Sequence, residues 1–278
     1  EFFIKLKVVD EPDKSNLGKI HKNVTSLSGG LTIVISCSVV FFCNALFFGF
    51  SNLDILLLSV FMMTVGLLDD LFDLYYKPKL ILQCFTTCLF LYANSIEIPF
   101  VHPFLNLPLQ FIWIVGITNA VNLMDNIDGA AGGVIIISFL TLLYFSTGFV
   151  TIYLAILIGA LFGFVFWNWH PAITFLGDSG TLFLGFIAAT LSLLTIESFV
   201  VSPIDLILLP MIFSFPILDT TVATFIRLYK RRPIYLSDGS NITFLLKKRN
   251  WKYLDIVFFQ YSISFLCCSA VLLYKIYI

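Results

Sequence analysis

Nine apolar windows follow one another through the chain, at residues 29–50, 53–68, 80–96, 107–122, 130–147, 149–167, 180–197, 204–226 and 254–276. Each approaches or reaches the length needed to cross the roughly 30 Å hydrocarbon core of a bilayer. Lipid offers no water to backbone N–H and C=O groups, so such windows fold as helices that close their hydrogen bonds internally. The expected fold is therefore all-α: a polytopic transmembrane helical bundle of about nine spans, forming one integral membrane domain over residues 1–278. Hydrophobic residues make up 59% of the sequence and charged residues 12%, too little polar surface to cover a water-soluble core. A soluble domain, a disordered chain, a disulfide scaffold and a nucleic-acid binder are excluded on the same ground. Several windows are short for a full crossing, so tilt or re-entrant geometry is expected in places. The sequence opens on Glu1-Phe2-Phe3-Ile4 without the tripartite pattern of a signal peptide, and a first helix preceding Glu1 is expected.

Charge orients the bundle. With residues 1–28 inside and strict alternation thereafter, the inside segments fall at about 1–28, 69–79, 123–129, 168–179 and 227–253. They hold Lys5, Lys7, Lys14, Lys19, Lys22, Lys77, Lys79, Arg227, Lys230, Arg231, Arg232, Lys247, Lys248, Arg249 and Lys252; of the 16 basic residues only Lys275 falls at the outer end. This is the bias expected of cytoplasmic loops. The same alternation gathers Asp69, Asp70, Asp73, Asp125, Asp128, Asp178, Asp219 and Asp238 at the inner boundary, from segments far apart in sequence. Carboxylates converging beside a basic face suit a divalent cation and a phosphorylated substrate arriving from the cytoplasm.

Five segments carry the chemistry. In Gly66-Leu67-Leu68-Asp69-Asp70-Leu71-Phe72-Asp73, adjacent helical residues point about 100° apart, so Asp69 and Asp70 are expected to have different partners. A solvated helix end is the plainer alternative for this segment. In the stretch Thr118 to Gly129, Asn119, Asn122 and Asp125 or Asn126 form a polar stripe on an apolar helix, followed by Asp128. Amides at that depth need a cavity, a metal, a ligand or a packed neighbour. Phe175-Leu176-Gly177-Asp178-Ser179-Gly180 sets an acid at a helix entry, where it is either a cap or a phosphate and metal site. Arg227, Arg231 and Arg232, after Pro216-Ile217-Leu218-Asp219, either mark topology or grip phosphate oxygens. Lys19-Ile20-His21-Lys22 precedes Gly29-Gly30, and neither His102 nor His170 is assigned a role.

In this order, Lys19-x-His21, Gly29-Gly30, Gly66-Leu67-Leu68-Asp69-Asp70, Asn119 to Gly129 and Phe175 to Gly180 resemble the polyprenyl-phosphate N-acetylhexosamine-1-phosphate transferases, the WecA/MraY superfamily. The Pro216-x-x-Asp219 and Arg227 to Arg232 region looks closer to the WecA/TagO branch. Two departures stand out. Asp125-Asn126-Ile127-Asp128-Gly129 replaces the usual Asp-Gly-x-Asp-Gly, and Asn241-Ile242-Thr243-Phe244 stands where the family carries a histidine motif.

The resemblance implies transfer of a sugar-1-phosphate from a UDP-sugar to polyprenyl (undecaprenyl) phosphate, with release of UMP. That reaction is a first membrane step of cell-envelope polysaccharide synthesis, carried out at the cytoplasmic side of a bacterial inner membrane. The implied cofactor is Mg²⁺ or Mn²⁺, held by Asp178 and Asp70; Asp69, Asp70, Asp125 and Asp128 are the implied catalytic acids. Lys19, His21, Asn119, Asn122, Arg227, Arg231 and Arg232 are the implied substrate-binding residues, and a homodimer is the implied assembly. The competing readings are a transporter or flippase for lipid-linked sugars and a catalytically degenerate member of the family. Transport would place acids near the bilayer midplane, whereas here they collect at one face. A CDP-alcohol phosphotransferase is disfavoured because its D-G-x-x-A-R opening is missing.

Overall fold

The computed structural model describes residues 9–10, 25–48, 52–235 and 238–277. Apart from a two-stranded antiparallel ribbon, β1 (Val9–Asp10) with β2 (Thr25–Ser26), the described chain is helical. The helices are α1 (Gly29–Phe48), α2 (Leu53–Phe72), α3 (Tyr76–Ala93), α4 (Pro103–Met124), α5 (Ala130–Phe145), α6 (Gly148–Asn168) and α7 (Gly177–Phe199). A 3₁₀ turn over Pro203–Ile207 leads into α8 (Leu208–Ile212), and α9 (Ser214–Tyr229), α10 (Ile242–Lys248) and α11 (Tyr253–Tyr277) follow.

Each of the nine apolar windows coincides with a helix or, in the eighth, with a broken pair. Five helices, α2, α4, α6, α7 and α11, are long and apolar enough to cross a membrane, and a sixth span results if the pair Pro203–Ile212 and Ser214–Tyr229 is counted as one. That pair bends by 81° at Phe213, with Pro210 and Pro216 on either side of the break. The stretches Gly29–Cys43 and Ala130–Phe145 are shorter apolar helices. Helix α3 carries Lys77 and Lys79 at its start and the buried polar residues Gln83, Thr86 and Thr87 further on. Its polar content turns out to serve the site rather than the lipid.

Helix α7 is the axis of the bundle. It is buried on all sides, packing mainly on α2 and α4 and also on α1, α5 and α6. Its small polar residues bond within the helix, Thr190 to the carbonyl of Phe186 (3.0 Å) and Thr195 to that of Leu191 (2.7 Å), so they cost little in the core. Lipid tails give no hydrophobic drive for helices to associate, and close approach of small residues replaces it. A Cβ on Gly30 would sit 2.3 Å from the nitrogen of Gly180, and one on Gly66 would sit 2.2 Å from the carbonyl oxygen of Asp178. The backbones of α1 and α2 therefore touch the first turn of α7 directly.

At the opposite end of the bundle, Asp205 accepts the N–H groups of Val201 (2.8 Å) and Ser202 (2.9 Å) and pairs with Lys275 at 2.7 Å. Asp205 is buried and Lys275 is partly buried. The lone basic residue that departs from the inward bias thus has a structural reason to do so, since it neutralises the acid at the start of the broken span.

Candidate active site

Helix α2 delivers Asp69 and Asp70 to the place where α7 begins. The chain enters α7 through Gly177, whose φ of +68° lies in the left-handed region and whose added Cβ would fall 2.8 Å from Asp70 Oδ2. The first amides of α7 then meet a carboxylate from another helix: the N–H of Asp178 donates to Asp70 Oδ1 (2.8 Å) and that of Ser179 to Oδ2 (3.0 Å). Asp70 thus caps α7, satisfying N–H groups that a helix start leaves open and placing negative charge at the positive end of the dipole. Asp178 is thereby free of the capping role that its position in sequence allowed.

The Asp178 carboxylate instead faces a polar set. Its Oδ1 accepts from Asn122 Nδ2 (2.9 Å), and its Oδ2 pairs with the ammonium of Lys79, which also holds Asp69 Oδ2 at 2.7 Å. Asn122 Nδ2 also donates to Thr181 Oγ1 at 2.7 Å. One turn earlier on α4, Asn119 turns to α3 and donates to Gln83 Oε1 (2.7 Å). Asp69 and Asp70 therefore have different partners, as their angular separation requires. The sequence marks Lys79 only as one of the inside basic residues and does not single out Gln83 or Thr181. Lys79 and Gln83 lie four residues apart, on one face of α3, and that spacing is the signal that could have marked them.

Asp125 follows the last turn of α4. Among the described residues no hydrogen-bond donor reaches its carboxylate. Burial pushes its pKa up to about 7, and the neighbouring charges of Asp178, Asp128 and Asp70 add to the rise. A carboxyl poised there is half protonated near neutrality. We expect kcat/KM of the reaction implied by the resemblance to rise with pH through a limb near 7, and that limb to move to lower pH as Mg²⁺ is raised, because a cation at Asp178 and Asp70 would offset the charges that disfavour ionised Asp125. A pH–rate series at two Mg²⁺ concentrations measures this; a profile flat from pH 6 to 8 at low Mg²⁺ would remove Asp125 from the reaction.

Asp128 lies in a clamped turn. The N–H of Gly129 donates to Asn168 Oδ1 (2.7 Å), and Tyr261 donates to the Gly129 carbonyl (2.6 Å). The Tyr253 hydroxyl bonds the Asp128 carbonyl, while the Asp128 carboxylate meets His170 Nδ1 (2.8 Å) and the N–H of Ala172 (3.2 Å).

The arginines stand in a separate network. Arg227 is buried, with Nε on Asp238 Oδ1 (3.2 Å) and Nη1 on the carbonyl of Ile234 (2.7 Å); Arg232 reaches Asp238 Oδ2 (3.2 Å). Burial disfavours the charge on Asp238, but donors from Ser240, Arg227 and Arg232 outweigh it and hold its carboxyl down at about 2. Arg231 is exposed. The chain leading into α10 approaches the cluster through Asn241, which caps α10 by accepting the N–H of Phe244 (3.3 Å) and donates to the carbonyl of Leu123 (3.4 Å). Lys19 and His21 lie outside the described residues.

The donor set at the α7 start is carboxylate and amide oxygen, the kind Mg²⁺ takes. Among the described residues no three His, Cys, Asp or Glu side chains form a cage for an ion. Mg²⁺ commonly needs only one or two carboxylates, with substrate phosphates and water completing its shell. Lys79, bridging Asp69 and Asp178, shows that the pocket already holds a positive charge between two carboxylates.

Comparison with known proteins places this geometry. The profile of glycosyl transferase family 4 matches residues 52–196. A Bacillus subtilis protein named "Probable undecaprenyl-phosphate N-acetylglucosaminyl 1-phosphate transferase" is 31% identical over 98% of this chain and 78% of its own length. A Thermotoga maritima "Undecaprenyl-phosphate alpha-N-acetylglucosaminyl 1-phosphate transferase" is 27% identical over 95% of this chain and 81% of its own length. A Staphylococcus epidermidis "Phospho-N-acetylmuramoyl-pentapeptide-transferase" is 34% identical, but over 63% of this chain and 64% of its own length. The matched region runs from the start of α2 into α7 and contains Asp69, Asp70, Lys79, Asn122, Asp125, Asp128 and Asp178, and the chain belongs to glycosyl transferase family 4.

Proposed function

We propose that this membrane protein transfers N-acetylglucosamine-1-phosphate, or a closely related N-acetylated sugar phosphate, from a UDP-sugar to undecaprenyl phosphate. The observation that carries the reading is the meeting of Asp70, Asp178, Asn122 and Lys79 from four helices at one end of the bundle. The two relatives that match nearly the whole chain are both named for that transfer, whereas the pentapeptide transferase matches less of it. In the proposed topology the chain crosses a bacterial plasma membrane nine times with the cluster on the cytoplasmic side, in keeping with the inward bias of Lys and Arg. Homodimer formation, implied by the resemblance, belongs to the same proposal.

A phosphate oxygen of the lipid attacks the sugar-bearing β-phosphorus of the donor. The bond between that phosphorus and the bridging oxygen breaks, and UMP leaves with the bond pair. The nucleophile is already anionic, so the protein needs no nucleophile of its own; its task is to bring like charges together in line. Asp178 and Asp70 are the residues to hold Mg²⁺, each Asp70 oxygen keeping a lone pair beyond the amide it accepts. When bound, the ion supplies a Lewis acid that offsets phosphate charge. Lys79 adds a fixed positive charge, Asn122 orients Asp178, and Asp70 fixes the turn that presents it. Asp125 and Asp128 shape the nucleotide side, and Asn119 supports the α4 stripe through Gln83.

The test is to incubate the purified full-length protein with undecaprenyl phosphate, Mg²⁺ and a panel of UDP-sugars and to measure UMP together with lipid-diphospho-sugar. Equimolar formation of both from an N-acetylated donor is expected. Absence of UMP from every donor would overturn the proposal.

A further inference from the structure

The cluster is short of positive charge for the ligands it is proposed to hold. Asp69, Asp70, Asp125, Asp128 and Asp178 gather at one end of the bundle, and the side chains paired to them there are Lys79 and His170. Lys79 is already shared between two carboxylates. His170 is built in with more care than a surface histidine needs. Its Nδ1 lies 2.8 Å from Asp128 Oδ2, the same oxygen that takes the N–H of Ala172, and its ring stacks on Tyr253 with centroids 4.0 Å apart and planes 25° from parallel. Tyr253 in turn bonds the Asp128 carbonyl, so turn, histidine and tyrosine form one locked unit. The side chain nevertheless stays 49% exposed, and among the described residues Nε2 has no partner. The Asp128 carboxylate accepts the Nδ1–H and leaves Nε2 turned outward, where a phosphate anion would favour the doubly protonated ring with an N–H on each side.

Resting on the UDP-sugar reading above, we propose that His170 binds the donor's diphosphate, its Nε2–H donating to a phosphate oxygen while Asp128 and Tyr253 hold the ring in place. A charge-assisted hydrogen bond of this kind corresponds to a change of about tenfold or more in affinity.

Two substitutions separate this role from support of the turn. His170→Asn keeps an N–H where Nδ1 meets Asp128 and removes Nε2; His170→Phe keeps the stack on Tyr253 and removes both nitrogens. In the full chain, UDP affinity by titration calorimetry and KM for the UDP-sugar are expected to weaken about tenfold or more in both. KM for undecaprenyl phosphate and the melting temperature of His170→Asn should stay at wild-type values. Wild-type UDP affinity in His170→Asn overturns the proposal. So does a loss that tracks a fall in melting temperature or an equal rise in the lipid KM, since either makes His170 a support of the turn alone. These results leave the transferase reading intact if the wild type releases UMP; a wild type that neither binds UDP nor releases UMP overturns both.

Discussion

Asp178→Asn is expected to lower the rate of UMP release by roughly a hundredfold to a thousandfold, the scale on which one preorganised electrostatic contact at a reacting centre is felt. The substitution is nearly isosteric and leaves the capping of α7 by Asp70 untouched, because those bonds use the backbone N–H groups of residues 178 and 179. It removes the charge that faces Lys79 and with it the anionic oxygen that a cation would use. The variant should therefore purify as a folded protein with a melting temperature close to wild type. Rates within a few-fold of wild type would take Asp178 out of the chemistry and leave the cluster as a packing device.

The largest effect on the fold is expected from Gly66→Ala. The new methyl carbon would stand 2.2 Å from the carbonyl oxygen of Asp178 and 2.5 Å from the nitrogen of Ser179, distances that no real contact sustains, so α2 and α7 must separate. Overpacking of this kind costs about 1–3 kcal/mol. Asp70 lies one turn further along α2, so the same shift lengthens its bonds to the first amides of α7 and moves Asp178 relative to Asn122 and Lys79. A clear drop in melting temperature together with a loss of transfer is the expected outcome. Gly116→Ala and Gly163→Ala, whose added carbons would meet nothing within 4 Å, should leave both unchanged and serve as controls. Wild-type stability in Gly66→Ala would mean that the two helices do not meet as closely as described.

These expectations draw on features that differ in how far the sequence reveals them. The helices were legible because lipid leaves the backbone little choice, and the acids were legible because a carboxylate on an apolar helix is costly unless it has work to do. The different partners of Asp69 and Asp70 followed from helix geometry alone. The 81° bend before α9 was hidden, since hydropathy runs on through Phe213 and only Pro210 and Pro216 hint at a break. Lys79 was hidden for another reason. A lysine after a span is expected on topological grounds, and only the crossing of α3 with α2 and α7 turns it onto Asp69 and Asp178.

Arg227 shows the same limit from the other side. A basic residue at the end of a span reads as a phosphate ligand, yet the guanidinium of Arg227, in the last turn of α9, is buried against Asp238 and the carbonyl of Ile234, eleven and seven residues further on. His170 was passed over because nothing local distinguishes it. Its partners Asp128 and Tyr253 come from sequence positions 42 residues before and 83 after, and only the folded chain brings them to its ring.

The claim on which the rest depends is that Asp70 at the end of α2 and Asp178 at the start of α7, with Asp125 beside them, hold a divalent cation between two phosphate-bearing reactants. Titration of Mn²⁺ into the full-length protein, followed by electron paramagnetic resonance, measures this most directly. The account predicts one site in the wild type, broadened further on addition of UDP-sugar, weakened at least tenfold in Asp178→Asn and displaced by Mg²⁺. Equal Mn²⁺ affinity in wild type and Asp178→Asn, in the presence of donor, would contradict it.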